Sequence, residues 1–214
     1  MYESTTTRER LLVEMARLVQ RKSFGATSVN DVIQAVGIKK GTLYYYFPGK
    51  DELGLAVLEH NRDDFLAFLD KNLSSPTPLE SLDRFFKAAF QKHKDTGFTG
   101  GCLWGNTALE ISDTNSIYKN FVEKVFTEWI GRIEAVIRSR QEAGQITAER
   151  TAQELAGLVV ACIEGGIMIS RLTKQDGPFK SCLESLRVLL VPPDPSCRSY
   201  PEKPKKNAIN RSTG

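Results

Sequence analysis

Between Thr6 and Leu190 the apolar residues of this chain recur every three or four positions, and no run alternates with a period of two. That spacing lines one face of a helix and cannot line one face of a strand, so it predicts an all-α fold. Leu11, Leu12, Met15, Ala16, Leu18 and Val19 give one apolar face to a first helix over about 6–22. "SVNDVIQAVG" (28–37) reads as a short second helix, with Ser28 as N-cap, Asp31 in its first turn and Gly37 as its stop. A third lies within 39–47. Pro48–Gly49 breaks the chain, and a long helix follows over about 50–71. Five more are expected at about 79–95, 104–112, 116–142, 148–173 and 178–190, for about nine in all. The remainder, 191–214, is rich in proline and basic residues and has little to bury, so it reads as a flexible tail.

The whole chain carries a net charge of +3, unevenly spread. Residues 1–50 hold eight Lys/Arg against four Asp/Glu, whereas 51–190 hold sixteen against twenty. A basic first quarter beside an acidic body suits an N-terminal part that meets a polyanion. The most apolar stretch, "AGLVVACIEGGIMI" (156–169), is interrupted by Glu164, so no membrane span is expected. The N-terminus lacks the pattern of a signal peptide, and a cytoplasmic location is expected. The four cysteines form no CxxC pair and are expected as thiols.

"GIKKGTLYYYF" (37–47) sets three tyrosines and a phenylalanine side by side after two lysines. Neighbours on a helix point about 100° apart, so four rings cannot share one core. Leu43 and Phe47, four apart, are the expected core anchors. Tyr44, Tyr45 and Tyr46 must then face solvent or a partner, either nucleic acid or another protein surface. The sharp turn at Gly37 between two short helices is a helix-turn-helix spacing, which favours DNA. Lys39 and Lys40 stand at the leading end of the second helix of that pair, where a phosphate would complement them. Gly41 leaves room for close approach, Thr42 offers a hydroxyl and a methyl, and Lys50 can hold a further phosphate.

"TSVNDVIQAVGIKKGTLYYYFPGKDELGLAVLE" (27–59) resembles the DNA-binding signature of TetR-family transcriptional regulators, and "RERLLVEMARLVQRKSFGATS" resembles the family's first helix. The resemblance implies a helix-turn-helix domain over 1–50 and a helical ligand-binding and dimerisation domain over 51–190. It implies a homodimer on a double-stranded DNA operator, and a small-molecule inducer that releases it. Its DNA contacts map onto Ser28, Asn30, Lys39, Lys40, Gly41, Thr42, Tyr44, Tyr45, Tyr46 and Lys50. Lys39 departs from the small polar cap that many members carry there. Tyr45 sits at a position that varies in the family and is the candidate base reader. "GCLWGNTALEIS" (101–112) is similar to a branch that answers electrophiles, unsaturated acids or drug-like molecules.

For the inducer pocket the expected walls are Trp104, Phe121, Trp129 and Met168, and the expected polar groups Asn106, Glu110 and Arg171. Each of these aromatics could equally be plain core. Cys102, next to a helix start, is a candidate reactive thiol. The last two body helices are expected to pair across the dimer, with Ala161, Gly165 and Gly166 allowing close approach. His60 and His93 are the only histidines, and no HExxH, Walker or GxSxG pattern occurs, which leaves no enzyme motif and calls for no cofactor or metal.

Overall fold

The computed structural model describes residues 6–74 and 78–190, and among these it holds nine α-helices and no strand. They are α1 (Thr7–Lys22), α2 (Val29–Val36), α3 (Lys40–Tyr46), α4 (Lys50–Leu73), α5 (Pro78–Asp95), α6 (Leu103–Ile111), α7 (Ser116–Glu142), α8 (Ala152–Thr173) and α9 (Gly177–Leu190). The expected tail at 191–214, with Cys197, lies outside the described residues.

Three helices begin on reciprocal caps: Thr6 with Glu9, Ser28 with Asp31, and Thr151 with Glu154. Each cap satisfies two orphan backbone groups and is worth about 1 kcal/mol. The third cap corrects the expected start of α8 from 148 to Ala152, because Thr151 is the residue whose side chain can accept from Glu154. Ahead of it, Ile146 and Thr147 are buried in the connection. Gly37 ends α2 at φ 73°, which a side-chain-bearing residue would resist. Its N–H and that of Ile38 both return to the Ile33 carbonyl, at 3.0 and 3.2 Å.

Two hydrophobic cores share α4. Leu53, Val57 and Leu58 from its first half pack with α1, α2, Leu43 and Phe47. Leu66, Leu69 and Leu73 from its second half pack with α5, α7, α8 and α9. The first core also draws Leu103 and Trp104 from α6 and Tyr118, Val122 and Val125 from α7. It therefore runs well past residue 50, the boundary expected from the sequence.

α8 has the length and apolarity of a membrane span, yet it lies packed against α7 and α9. Leu155, Val159, Ile163 and Ile167 are buried in the body core, as are Leu183, Leu186 and Leu190 of α9. Gly166 is required inside the chain: a Cβ there would stand 2.7 Å from the Phe179 ring and 3.2 Å from its Cα. Gly165 faces open space and Ala161 is exposed, so these two point away from the core.

Candidate nucleic-acid interface and ligand cavity

The turn between α2 and α3 presents the α3 face to solvent. Leu43 and Phe47 are buried as expected, while Tyr44, Tyr45 and Tyr46 are 44, 83 and 37% exposed. Lys40 Nζ sits 5.8 Å from the centre of the Tyr44 ring, and the Tyr45 and Tyr46 rings meet edge to face at 5.1 Å. Lys39 holds the N-cap position of α3 and makes no side-chain cap bond, which leaves the leading N–H groups of that helix unmet by its own cap. Gly41 is exposed and has open space where a Cβ would stand, and Thr42 is half-buried. On α2, Asn30 is exposed, and the Ser28 hydroxyl is engaged with Asp31 at 2.8 Å. The bond from the Ser28 backbone, then its hydroxyl, then Lys22 hold the Asp31 carboxyl down at about 2. Lys50 Nζ points to the Gly25 carbonyl at 3.4 Å, a long contact that leaves it available.

A latch joins this end to the body. Glu110, near the end of α6, accepts the N–H of Phe24 at 2.8 Å and that of Gly25 at 2.6 Å. Glu110 was expected as a polar group of the inducer pocket. It instead holds the α1–α2 connection, because both its oxygens are taken by backbone donors of that turn.

The remaining pocket residues other than Phe121 divide between two cavities. The first, about 190 Å³, is walled by Phe65 and Phe68 of α4, Phe85 of α5, Trp104 and Trp129. The second, about 280 Å³, is lined by Asn106, Glu164, Met168 and Arg171 and opens beside the exposed face of α8. Cys102 borders both. Asn106 and Arg171 bind each other at 2.9 Å, and Asn106 also donates to the Gly100 carbonyl at 2.6 Å. Phe121 lines neither cavity and packs against the N-terminal core. The sequence reading missed Phe65, Phe68 and His93. The pair Phe65 and Phe68, three apart on α4, was the available signal.

Within the first cavity two polar groups are unusual. Trp129 is 2% exposed and its Nε1–H has no hydrogen-bond partner. His93 borders the same space, and burial, with a smaller contribution from Lys92, brings its imidazole down to about 4. The native state thus resists a proton that the unfolded chain takes up near 6.5. The stabilisation is present above about pH 6.5 and is lost as pH falls towards 4. We expect a loss on the order of 2–3 kcal/mol over that interval. Urea midpoints at pH 7 and pH 4 would show it as the part of the slope that disappears in His93→Gln.

Cys102 does not behave as a helix start alone would suggest. It is the N-cap of α6, but burial first, and then the charge of Glu164, push its thiol well above the ordinary range. The Glu164 carboxyl is itself raised by burial, and one of its oxygens is unpartnered. Desolvation outweighs the helix terminus here, which disfavours a reactive thiolate at the candidate Cys102.

Comparison with known proteins agrees with this architecture. Residues 11–57 match the profile described as bacterial regulatory proteins, tetR family, and residues 78–186 match the tetracyclin repressor-like C-terminal domain. The chain is 30% identical to the uncharacterized HTH-type transcriptional regulator YxaF of Bacillus subtilis, over 86% of this chain and 95% of that one. It is 24% identical to the HTH-type transcriptional repressor DhaR of a Mycobacterium species, over 88 and 94% of the two chains. The crystal structure of regulatory protein TetR from Rhodobacter sphaeroides superposes with a TM-score of 0.82 at 25% identity, covering 87% of this chain and all of that one. With both halves of the chain matched and the helix-turn-helix in place, the protein belongs to the TetR family of bacterial transcriptional regulators.

Proposed function

We propose that this chain is a cytoplasmic homodimeric repressor, without enzymatic activity, that leaves a palindromic operator when a small molecule enters the aromatic cavity. The observation that carries the DNA half of this reading is α3: its tyrosines and lysines stay exposed although the helix is anchored at Leu43 and Phe47. Tyr45 is the proposed base reader. Lys39, Lys40 and Lys50, with Thr42, Tyr44 and Tyr46, are the proposed backbone contacts, and Gly41 permits the approach. Ser28 and Asn30 present the start of α2 to the same duplex. The two units proposed are a DNA-reading head and a ligand-binding and dimerising body, joined through α4.

For the inducer, the cavity favours an uncharged molecule of one or two rings. Its volume is a little above the roughly 150 Å³ that holds benzene. Five aromatic side chains wall it, and the unpartnered Trp129 indole calls for one hydrogen-bond acceptor. The raised Cys102 thiol favours such non-covalent binding over electrophile capture. α6 supplies the connection, since it bears Trp104 at the cavity and Glu110 at the latch. An inducer needs only to prefer the conformer whose reading helices are wrongly spaced.

Fluorescence anisotropy with the DNA upstream of the protein's own gene tests this reading. Affinity should fall with salt with a log–log slope on the order of −5 or steeper. Lys50→Ala should weaken all sequences alike and flatten that slope by about one. Tyr45→Ala should change preference at one half-site position by about 1–3 kcal/mol. No detectable binding at low salt would sink the proposal.

A further inference from the structure

The α7–α8 connection returns to the end of α9, where the Thr147 N–H donates to the Leu190 carbonyl at 3.0 Å. Beside it lies a cavity of about 120 Å³ that shares no residue with the aromatic cavity. Phe86 and Ile146 give it apolar walls, and Asp83, Arg140, Gln145 and Arg187 supply its polar groups. Arg187 is satisfied: its Nε donates to Asp83 at 2.6 Å, and its guanidinium lies 5.8 Å from the centre of the Phe86 ring. Arg140 is not. It is 7% exposed, and its Nε–H has no hydrogen-bond partner.

Two guanidinium groups thus face one carboxylate, and Arg187 already occupies that carboxylate. Burial lowers the Arg140 pKa, with Asp83 only partly opposing it. An arginine does not shed its proton in a protein, so a further anion against it would offset the cost of burying that charge. Water would offer acceptors without charge. Gln145 Oε1 is likewise buried and unpartnered, and a rotation of that carboxamide turns its NH2 to the same space.

We propose that this cavity is a small-oxyanion site in which the Arg140 guanidinium holds a carboxylate or phosphate group. The planar fork of arginine matches both groups with paired hydrogen bonds. The apolar walls suit a carboxylate carrying a few carbons as well as inorganic phosphate. The oxyanion comes from solution. An anion here would grip α5, which also lines the aromatic cavity through Phe85 and His93.

Thermal unfolding of the full-length protein tests this, with sodium phosphate and sodium acetate compared with chloride at equal ionic strength. General salt effects are common to all variants and cancel in the comparison. The melting temperature of the wild type should rise by about 5 °C with phosphate or acetate at saturation. Arg140→Gln and Arg140→Met should each abolish the rise, whatever their own starting stability. The proposal is overturned if the wild type responds no more than Arg140→Gln.

Discussion

Ala161→Glu and Leu172→Glu are each expected to convert the proposed dimer to monomer and to lower operator affinity by at least ~100-fold. The expectation rests on what α8 and α9 leave uncovered. Leu158, Met168, Ile169 and Leu172 of α8 are 41, 58, 41 and 83% exposed, and Val188 and Leu189 of α9 are 75 and 59% exposed. With Ala161 and Gly165 they form a stripe at spacings of three and four, the pattern of a helix that meets another helix. A contiguous apolar face of that kind on a soluble protein marks an interaction site. A glutamate buried in it would be desolvated without a partner. A monomer then reaches one half-site only and loses the effective concentration of the second. Light scattering and operator titration should change together, while circular dichroism stays that of the parent. A variant that remains dimeric at micromolar concentration would show that the interface lies elsewhere.

Gly54→Val should lower stability by about 3 kcal/mol and the melting temperature by about 10 °C. Glycine inside a helix ordinarily costs about 1 kcal/mol relative to alanine. Here the space explains it: a Cβ on Gly54 would run into the Tyr118 hydroxyl and come within 3.1 Å of the Phe24 ring. The Tyr118 hydroxyl donates to the Asp51 carbonyl at 2.8 Å and its ring packs 5.3 Å from that of Phe24. The substitution therefore strikes the joint where α4, α7 and the α1–α2 connection meet. The burial of Tyr118, helped by Asp51 and Glu52, pushes its hydroxyl well above the ordinary tyrosine range in the folded state, so the bond to Asp51 should persist at any ordinary pH. An unchanged melting temperature in Gly54→Val would mean that α4 and α7 can move apart at little cost.

How far the sequence disclosed all this depends on the range of the interaction. The turn at Gly37, the Ser28 cap and the buried pair Leu43 and Phe47 are local, and each was readable from neighbouring residues. The start of α8 was misplaced by four residues because Thr151 competes with an earlier polar stretch, and only the Glu154 cap decides between them. The Glu110 latch was beyond reach: its partners are 85 and 86 residues away and are backbone groups, which leave no mark in composition. Trp104 and Trp129, expected as walls of an inducer pocket, line a cavity, whereas Phe121 has the same character and lies in the other core. A ring on a helix face announces burial, and only tertiary packing says whether empty space lies beside it.

The sharing of α4 bears on how such regulators could be recombined. A head transplanted at residue 50 would leave Leu53, Val57 and Leu58 behind, and would lose the Glu110 that grips its α1–α2 turn. A workable splice would carry the chain to about the middle of α4. It would also need Leu103, Trp104, Glu110 and Tyr118 of the recipient to suit the incoming surface. The head of this chain is exchangeable only together with the body patch that seats it, so a new DNA specificity would come more readily by altering the proposed base reader Tyr45 and its neighbours than by grafting.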